Sequence, residues 1–382
     1  MRRQFTTLFI LLFAVIPAIL NGQSHYFPEK FEWERISAAD AGFNAPALQR
    51  AINFAIENET DNPRDLFIHL NSRTNEPFNE LVGPVKERGD MTGIILKGGK
   101  IVEEWGEPGR VDMTFSVTKS FLSVTVGLAY DHGLINSVDD RVQNYVPIKY
   151  FNSEHNSKIT WNHLLRQTSD WEGTLWDKPD WADRPRGAIT PEVINRERNE
   201  PGTVYKYNDV RVNILALAAL EVWRKPLPVV LKEHVMDKID ASNTWRWHGY
   251  ENSWVMIDGM KMQSVSGGGH WGGGMWINAY DQARFGYLTL RNGNWNGEQL
   301  ISEEWLQMAR TPTRVQKDYG FMNFFLNTDK ARFSNAPETA FFHLGAGANV
   351  VYVDPENDMV VVLRWIDFGK MNEFLGLLYE AM

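Results

Sequence analysis

Residues 115–121 read FSVTKSF and open a helical run that ends at Gly133. Because residues three apart share one face of a helix, the Lys119 amine is predicted to lie beside the Ser116 hydroxyl. The first turn of a helix also offers free N–H groups that can stabilise an oxyanion. A serine needs a base before it attacks a carbonyl, and a buried lysine can supply one. The segment therefore predicts a nucleophilic Ser116 assisted by Lys119, although a serine at a helix start is more often a simple cap.

Two further segments are candidates for the same site. Residues 201–209 read PGTVYKYND and precede an apolar pattern that predicts a helix over 210–224. A turn there would expose Tyr207, whose phenol can relay protons; the alternative is a core tyrosine that caps the turn. Residues 343–347 read HLGAG, and such small residues let backbone N–H groups approach a ligand, unless they only form a bend at a strand edge.

Strand patterns mark both ends of the chain. The run at 92–105 is interrupted by a Gly-Gly pair, which is typical of a tight hairpin turn. A second hairpin is predicted at 349–365, and an amphipathic run at 371–382 predicts a closing helix. The fold class is therefore α+β, with an antiparallel sheet flanked by terminal helices.

The middle of the chain has a different pattern. Residues 116–289 alternate helical runs with loops rich in Trp, Gly and Pro. We interpret this stretch as a mostly helical region inserted into the sheet. The sheet layer then comes from about 23–115 and 290–382, within one domain that spans 23–382.

Composition narrows the functional classes. The chain has 382 residues, a net charge of −9 and no cysteine. The lack of cysteine excludes disulfides, thiolate metal sites and thiol catalysis. An acidic chain without a basic patch also argues against nucleic-acid binding.

The first 22 residues have the pattern of a secretory signal peptide. Two arginines are followed by an uncharged run at 5–20, and small and polar residues follow it. This run is shorter than the ~20 residues that a spanning helix needs, so an uncleaved anchor is the less favoured alternative. We expect a periplasmic or secreted protein with no membrane contact beyond the export signal.

Taken together, the segments resemble the serine β-lactamase-related hydrolases. This family holds class C β-lactamases, DD-peptidases, family VIII esterases and 6-aminohexanoate oligomer hydrolases. The resemblance covers most of the chain from about residue 43. Its pieces occur in the family's order: 115–121, 159–169, 201–213, 272–276 with Asp281, 286–295 and 343–345.

The resemblance implies a β-lactamase/transpeptidase-like fold and a set of catalytic roles. Ser116 would be the acylated nucleophile, with Lys119 as its general base or electrostatic partner. Tyr207 would share the proton relay. The oxyanion hole would use the backbone N–H groups of Ser116 and Ala346, and His343 would stand where the family has Lys or His.

The chain also departs from the family pattern. Asp209 replaces an asparagine, and a carboxylate cannot donate a hydrogen bond to a substrate carbonyl. We expect Asp209 to pair with Lys119, which favours the charged amine and shifts base duty toward Tyr207. His343 and Leu344 replace the Lys and Thr that hold a penicillin carboxylate. Esterase or amidase activity on an uncharged or basic substrate is therefore favoured over β-lactamase or DD-peptidase activity.

Three further residues are candidates for substrate binding. Gly345 follows in the same strand, and the resemblance places it at the site. His270 lies in the Gly-rich run 266–274, which either lines the cleft or is only a flexible approach to a strand. Trp171 lies in a loop with several acidic residues, which forms either an aromatic cleft wall or a small core under the loop.

The sequence thus predicts an exported serine hydrolase that cleaves ester or amide bonds of small or peptide-like substrates. We expect no cofactor, no metal and no nucleic-acid partner, while the oligomeric state stays open. A penicillin-recognising enzyme and a non-catalytic scaffold of the same fold are the alternatives.

Overall fold

A computed structural model describes residues 25–72, 76–185 and 187–382, so the predicted signal peptide lies outside the described residues. The α-helices are, in chain order, α1 (Ala45–Glu57), α2 (Leu66–Asn71), α3 (Thr118–Asp131), α4 (Trp161–Leu165), α5 (Pro191–Ile194), α6 (Asp209–Trp223), α7 (Leu227–Leu231), α8 (Ala279–Leu290), α9 (Glu303–Ala309) and α10 (Met371–Glu380). The strands are β1 (Thr92–Lys97), β2 (Lys100–Trp105), β3 (Asp112–Met113), β4 (Thr174–Leu175), β5 (Lys178–Pro179), β6 (Arg246–Ile257), β7 (Met260–Val265), β8 (Gly274–Ile277), β9 (Asn294–Trp295), β10 (Glu298–Gln299), β11 (Phe325–Leu326), β12 (Phe341–Gly345), β13 (Asn349–Asp354) and β14 (Met359–Arg364).

The main sheet joins the two ends of the chain. Its strand order is β11-β12-β13-β14-β1-β2, and every neighbouring pair is antiparallel. The two ends of the chain meet between β1 and β14, where Thr92 lies opposite Arg364 and Lys97 opposite Met359. Both predicted hairpins and the closing helix are therefore confirmed, and so is the α+β class.

Both faces of this sheet are buried. Strands β13 and β14 are rich in valine and buried at every residue, as expected for strands covered on both sides. Val351 and Val362 pack with α8 on one face, whereas Val350 and Val361 pack with α1 and α10 on the other. The period of two in a strand thus divides the hydrophobic core into two layers.

The central region contains a second sheet that the sequence did not predict. Its order is β3-β8-β6-β7, and the long strand β6 pairs with β7 across the turn at Asp258 and Gly259. Asp-Gly is a recognised hairpin signal, but the many polar residues of β6 hide its strand pattern. The region 116–289 is therefore a set of helices around α3 and α6 together with this small sheet.

The edge of the main sheet lies directly against the start of the helical region. A Cβ on Gly345, at the end of β12, would lie 2.2 Å from the Thr114 carbonyl oxygen and 3.2 Å from the Ser116 nitrogen. Only glycine fits there, because any side chain would push the two segments apart.

No helix within the described ranges combines the length and apolar character that crossing a bilayer requires.

Candidate active site

Ser116 lies in a short 3₁₀ turn, Phe115–Val117, immediately before α3. Phe115 has a φ of 47°, a left-handed conformation that costs a non-glycine residue about 1–3 kcal/mol. Its ring is buried and packs edge-to-face on Trp365, with 6.3 Å between ring centroids. Phe115 and Val117 are buried while Ser116 lines a cleft, so the packing of its neighbours fixes the serine at the surface of the site.

Lys119 is fully buried one helical turn after the serine. Its Nζ donates hydrogen bonds to Ser116 Oγ at 2.8 Å and to Asp209 Oδ1 at 2.5 Å. Burial alone would lower the pKa of Lys119, but the negative charge of Asp209 outweighs it and raises that pKa above its ordinary value. The amine next to the serine is therefore a charged ammonium.

Asp209 is the first residue of α6 and is also buried. Its second oxygen, Oδ2, accepts a hydrogen bond from Arg184 Nη1 at 2.7 Å. Burial would raise the pKa of Asp209, but the charges of Lys119 and Arg184 hold it well below its usual range. The carboxylate thus stays ionised and joins two cations.

Arg184 belongs to this cluster of charged residues, although no pattern in the sequence pointed to it. Its Nη1 also bonds Asp183 at 2.6 and 2.8 Å, and its Nη2 lies 2.9 Å from His270 Nδ1. The guanidinium carbon is 5.1 Å from the centroid of the Tyr207 ring. A single arginine in a Trp-rich loop has no spacing that points to a site, so only the folded chain shows its position.

Tyr207 completes the group around the serine. Lys119 Nζ lies 4.7 Å from the centroid of its ring, and Tyr207 lines the same cleft as Ser116. Tyr319 packs edge-to-face on it with ring centroids 6.1 Å apart. The neighbouring Tyr205 also lines the cleft, and burial raises the pKa of its phenol. The structure therefore brings Ser116, Lys119 and Tyr207 together.

The cleft has a volume of about 460 Å³, which suits a small organic ligand. Besides Ser116 and Tyr207 it is lined by Leu344 and by the small residues 345–348. Ala346 lies directly after Gly345, whose backbone closely approaches the Ser116 nitrogen. Ser116 and Ala346, whose amide groups the resemblance assigns to the oxyanion hole, both line the cleft.

The Gly-rich segment 266–274 closes over the ion pair. A Cβ on Gly268 would lie 2.0 Å from Asp209 Oδ1 and 2.2 Å from Lys119 Nζ. Its backbone therefore lies directly on the pair and keeps water away from it. The segment leads into β8, as one interpretation of the sequence predicted, and Gly268 packs tightly where the segment passes the ion pair.

His343 does not take part in the cleft, contrary to the sequence prediction. Side chains alternate along β12, so Leu344 faces the cleft and His343 faces the core. The imidazole is fully buried beside Phe285 and Phe324, and burial lowers its pKa to about 3. It is a neutral core residue in this structure.

His270 and Trp171 also lie behind the cleft wall. Trp171 is fully buried in the main hydrophobic core, and its Nε1 donates to the Tyr150 carbonyl at 2.9 Å. It therefore forms neither an aromatic cleft wall nor a separate small core under the loop. His270 is buried behind Arg184, and its Nε2 lies 2.7 Å from Glu76 Oε2. The prediction that His270 and Trp171 line the cleft is therefore wrong for both residues.

Glu76, Asp183 and His270 could in principle hold a metal, since their donor atoms lie within 4.8 Å of one another. These donors are already bonded to each other or to Arg184. The adjacent guanidinium also disfavours a second cation at this position.

Comparison with known proteins agrees with this geometry. Residues 78–370 match the model of the Beta-lactamase family. The chain belongs to the β-lactamase family. This β-lactamase family member is 23% identical over 292 residues to the 6-aminohexanoate-dimer hydrolase of Paenarthrobacter ureafaciens. The aligned region covers 70% of each chain. The family consists of serine hydrolases and includes esterases and amidases.

Solved structures show the same fold. A family VIII carboxylesterase has a TM-score of 0.57 at 17% identity, covering 89% of this chain and 99% of the esterase. A penicillin-binding protein homologue from Caulobacter crescentus has a TM-score of 0.57 at 13% identity, with coverage of 89% and 99%. These identities are low, so the two likenesses establish the fold of this family member and leave its substrate open.

Proposed function

We propose that this β-lactamase family member is an exported serine hydrolase that cleaves ester or amide bonds through an acyl-enzyme on Ser116. The observation that carries the proposal is the 2.8 Å hydrogen bond from Lys119 Nζ to Ser116 Oγ at the wall of a ligand-sized cleft. A serine that only capped a helix would not need a buried ammonium beside its oxygen.

The charge on Lys119 determines which residue accepts the Ser116 proton in this proposal. An ammonium cannot accept a proton, so in our proposal Tyr207 acts as a relay. Its oxygen takes the Ser116 proton as its own phenolic proton passes to the leaving alcohol or amine, while the serine oxygen attacks the carbonyl carbon and the bond to the leaving group breaks. Lys119 and Arg184 lie 4.7 and 5.1 Å from the Tyr207 ring centroid and stabilise negative charge that its oxygen carries during the transfer. A water molecule then attacks the acyl ester, its proton returns to the Ser116 oxygen through the same relay, and the acid product is released.

The orientation of β12 supports ester or amide hydrolysis over penicillin recognition. The strand turns Leu344 to the cleft and buries His343, so it offers no lysine or hydroxyl to a substrate carboxylate. The kinship with an esterase fold and a 6-aminohexanoate-dimer hydrolase is compatible with this class of substrate.

Two serine-directed probes test the proposal. A fluorescent fluorophosphonate should label the purified protein and should fail to label the Ser116→Ala variant. A fluorescent penicillin should label neither. Labelling of the wild type by both probes would favour a penicillin-recognising enzyme, and labelling by neither would favour a scaffold without catalysis.

Export rests on the leader at 1–22 and is tested separately. Expression with the full leader should yield a periplasmic or secreted protein whose N-terminal sequence starts near residue 23. A cytoplasmic protein that retains Met1 would contradict export without affecting the hydrolase proposal.

A further inference from the structure

A second layer of buried polar groups lies behind Arg184. His270 Nδ1 lies 2.9 Å from Arg184 Nη2, and His270 Nε2 lies 2.7 Å from Glu76 Oε2. Only 2% of the His270 side chain is exposed. Glu76, His270 and Arg184 thus form a chain of hydrogen bonds that ends at the cleft wall, where Arg184 lies beside the Tyr207 ring.

The direction of each hydrogen bond follows from the chemistry of the three groups. A guanidinium only donates, so His270 Nδ1 accepts the hydrogen bond from Arg184 and carries no proton. The imidazole proton is then on Nε2, where the Glu76 carboxylate accepts it and the Asp183 carboxylate lies 3.5 Å away. Glu76 therefore selects the imidazole tautomer that can receive Arg184.

The backbone around this pair is anchored at two points. Lys178 Nζ donates to two carbonyl oxygens of the segment that follows Glu76, at 2.7 and 2.8 Å. The Gly83 N–H donates to the Trp271 carbonyl at 3.0 Å, which ties the same segment to the residue after His270. The pair is thus a fixed acceptor for the arginine in front of it.

Arg184 needs such an acceptor because it lies in a loop, outside any helix or strand. Its Nη1 bonds Asp183 and Asp209, which fixes one end of the guanidinium. Within the described ranges, His270 is the acceptor that fixes the other end, Nη2. The two fixed ends determine how the guanidinium lies relative to Tyr207, whose ring centroid is 5.1 Å from the guanidinium carbon.

We propose that His270, oriented by Glu76, is a positioning residue that fixes the Arg184 guanidinium beside Tyr207. The inference rests on the proposed hydrolase function, in which Arg184 stabilises negative charge on the Tyr207 oxygen during proton transfer. Such stabilisation is strong only when the cation is held in place before the reaction. Because His270 does not line the cleft, removing its hydrogen bond should weaken the transition state and leave substrate binding nearly unchanged, so that kcat falls while KM changes little.

Two conservative variants test the proposal. In His270→Asn the amide oxygen is as many bonds from Cβ as Nδ1 is, so it can still accept from Arg184. In His270→Gln the amide takes the position of Nε2 instead, and Arg184 loses its acceptor. With a 4-nitrophenyl ester, we expect kcat to fall roughly 10- to 100-fold in His270→Gln and only a few-fold in His270→Asn, with KM little changed in both. The matched control His248→Gln, at a half-buried histidine that lines a different cavity, should keep the wild-type kcat.

A double-mutant cycle assigns the effect to Arg184. Arg184→Lys keeps a charge beside Asp209 but has no second nitrogen for His270. The loss of kcat in His270→Gln should therefore not add to the loss in Arg184→Lys, because both substitutions remove the same contact. Losses that multiply in the double variant would overturn the inference, and so would equal kcat values in His270→Asn and His270→Gln.

A purely structural His270 and an inactive protein give different results. If His270 only fills the core, both of its variants should lower the melting temperature while their kcat values stay equal; the inference then fails and the hydrolase function stands. If the wild-type protein hydrolyses no ester and is not labelled by the fluorophosphonate, the hydrolase proposal fails and this inference fails with it.

Discussion

Replacing Asp209 with Asn removes the one charge that Lys119 Nζ contacts at 2.5 Å, and both side chains are fully buried. With an effective dielectric constant of about 20, two unit charges at this distance attract each other by about 7 kcal/mol before desolvation is subtracted. Removing one partner of a buried ion pair typically costs about 3–5 kcal/mol. We therefore expect the free energy of unfolding of Asp209→Asn to fall by about 3–5 kcal/mol at pH 7.

The pH dependence of this loss has a definite sign. Asp209 raises the pKa of folded Lys119, so the pair stabilises the fold below the unfolded lysine pKa of about 10.4. That stabilisation disappears as the pH rises through the folded pKa. In Asp209→Asn, burial is no longer opposed and lowers the Lys119 pKa. The variant's deficit should therefore be largest near neutral pH. It should shrink as the pH rises from the lowered Lys119 pKa of the variant through the raised Lys119 pKa of the wild type.

Denaturant unfolding and kcat/KM measured across roughly pH 5–10 check both effects. The limb of the rate profile that Lys119 controls should move to lower pH in Asp209→Asn, and the restored amide donor should favour a β-lactam relative to a simple ester. Asp281→Asn, a change of another buried acid at the start of α8, is the control and should not move the profile. An unchanged pH profile and an unchanged ester-to-β-lactam ratio in Asp209→Asn would refute the ion-pair account and leave Asp209 a structural residue.

Three other substitutions give sharp expectations. Tyr207→Phe should lower kcat about 10²–10⁴-fold, whereas Tyr205→Phe should have a small effect, since only Tyr207 is assigned to proton transfer. Equal small losses of kcat in steady-state kinetics would remove Tyr207 from the mechanism. Gly268→Ala should reduce kcat/KM by roughly 10²-fold, because the added methyl group would displace the Lys119–Asp209 pair. Gly267→Ala is the control: its methyl group would meet a valine side chain, so it should mainly lower the melting temperature. Similar rate losses in both variants would contradict this. His343→Leu should keep ester hydrolysis within a few-fold. It should also remove the loss of about 3 kcal/mol that the buried neutral imidazole imposes on the wild type as the pH falls from about 6.5 to 4. Denaturation at pH 7 and pH 4 measures this difference, and an unchanged acid sensitivity would be the opposing result.

The sequence was most informative where local patterns determine local structure. The two hairpins and the closing helix follow from turn residues and from periods of two and 3.6, and they define the main sheet. The proximity of Ser116 and Lys119 follows from helical spacing alone. The pairing of Asp209 with Lys119 could be predicted because a buried charge without a partner is costly.

The remaining features depend on contacts between distant parts of the chain. Arg184 meets Asp209 from a loop 25 residues away, and nothing in that loop marks it as different from a surface arginine. His343 was misplaced because a motif gives the residue type but not the face of the strand to which it points. The tight fit of Gly268 over the ion pair is likewise visible only in the folded chain.

The most direct test of the account is to trap the covalent intermediate on Ser116. The protein is mixed with a 4-nitrophenyl ester, quenched with acid and examined by intact-mass spectrometry and peptide mapping. We predict a mass increase of one acyl group on the peptide that contains Ser116, and no adduct and no turnover in Ser116→Ala with an unchanged melting temperature. An adduct on another residue, or wild-type turnover in Ser116→Ala, would contradict the central claim.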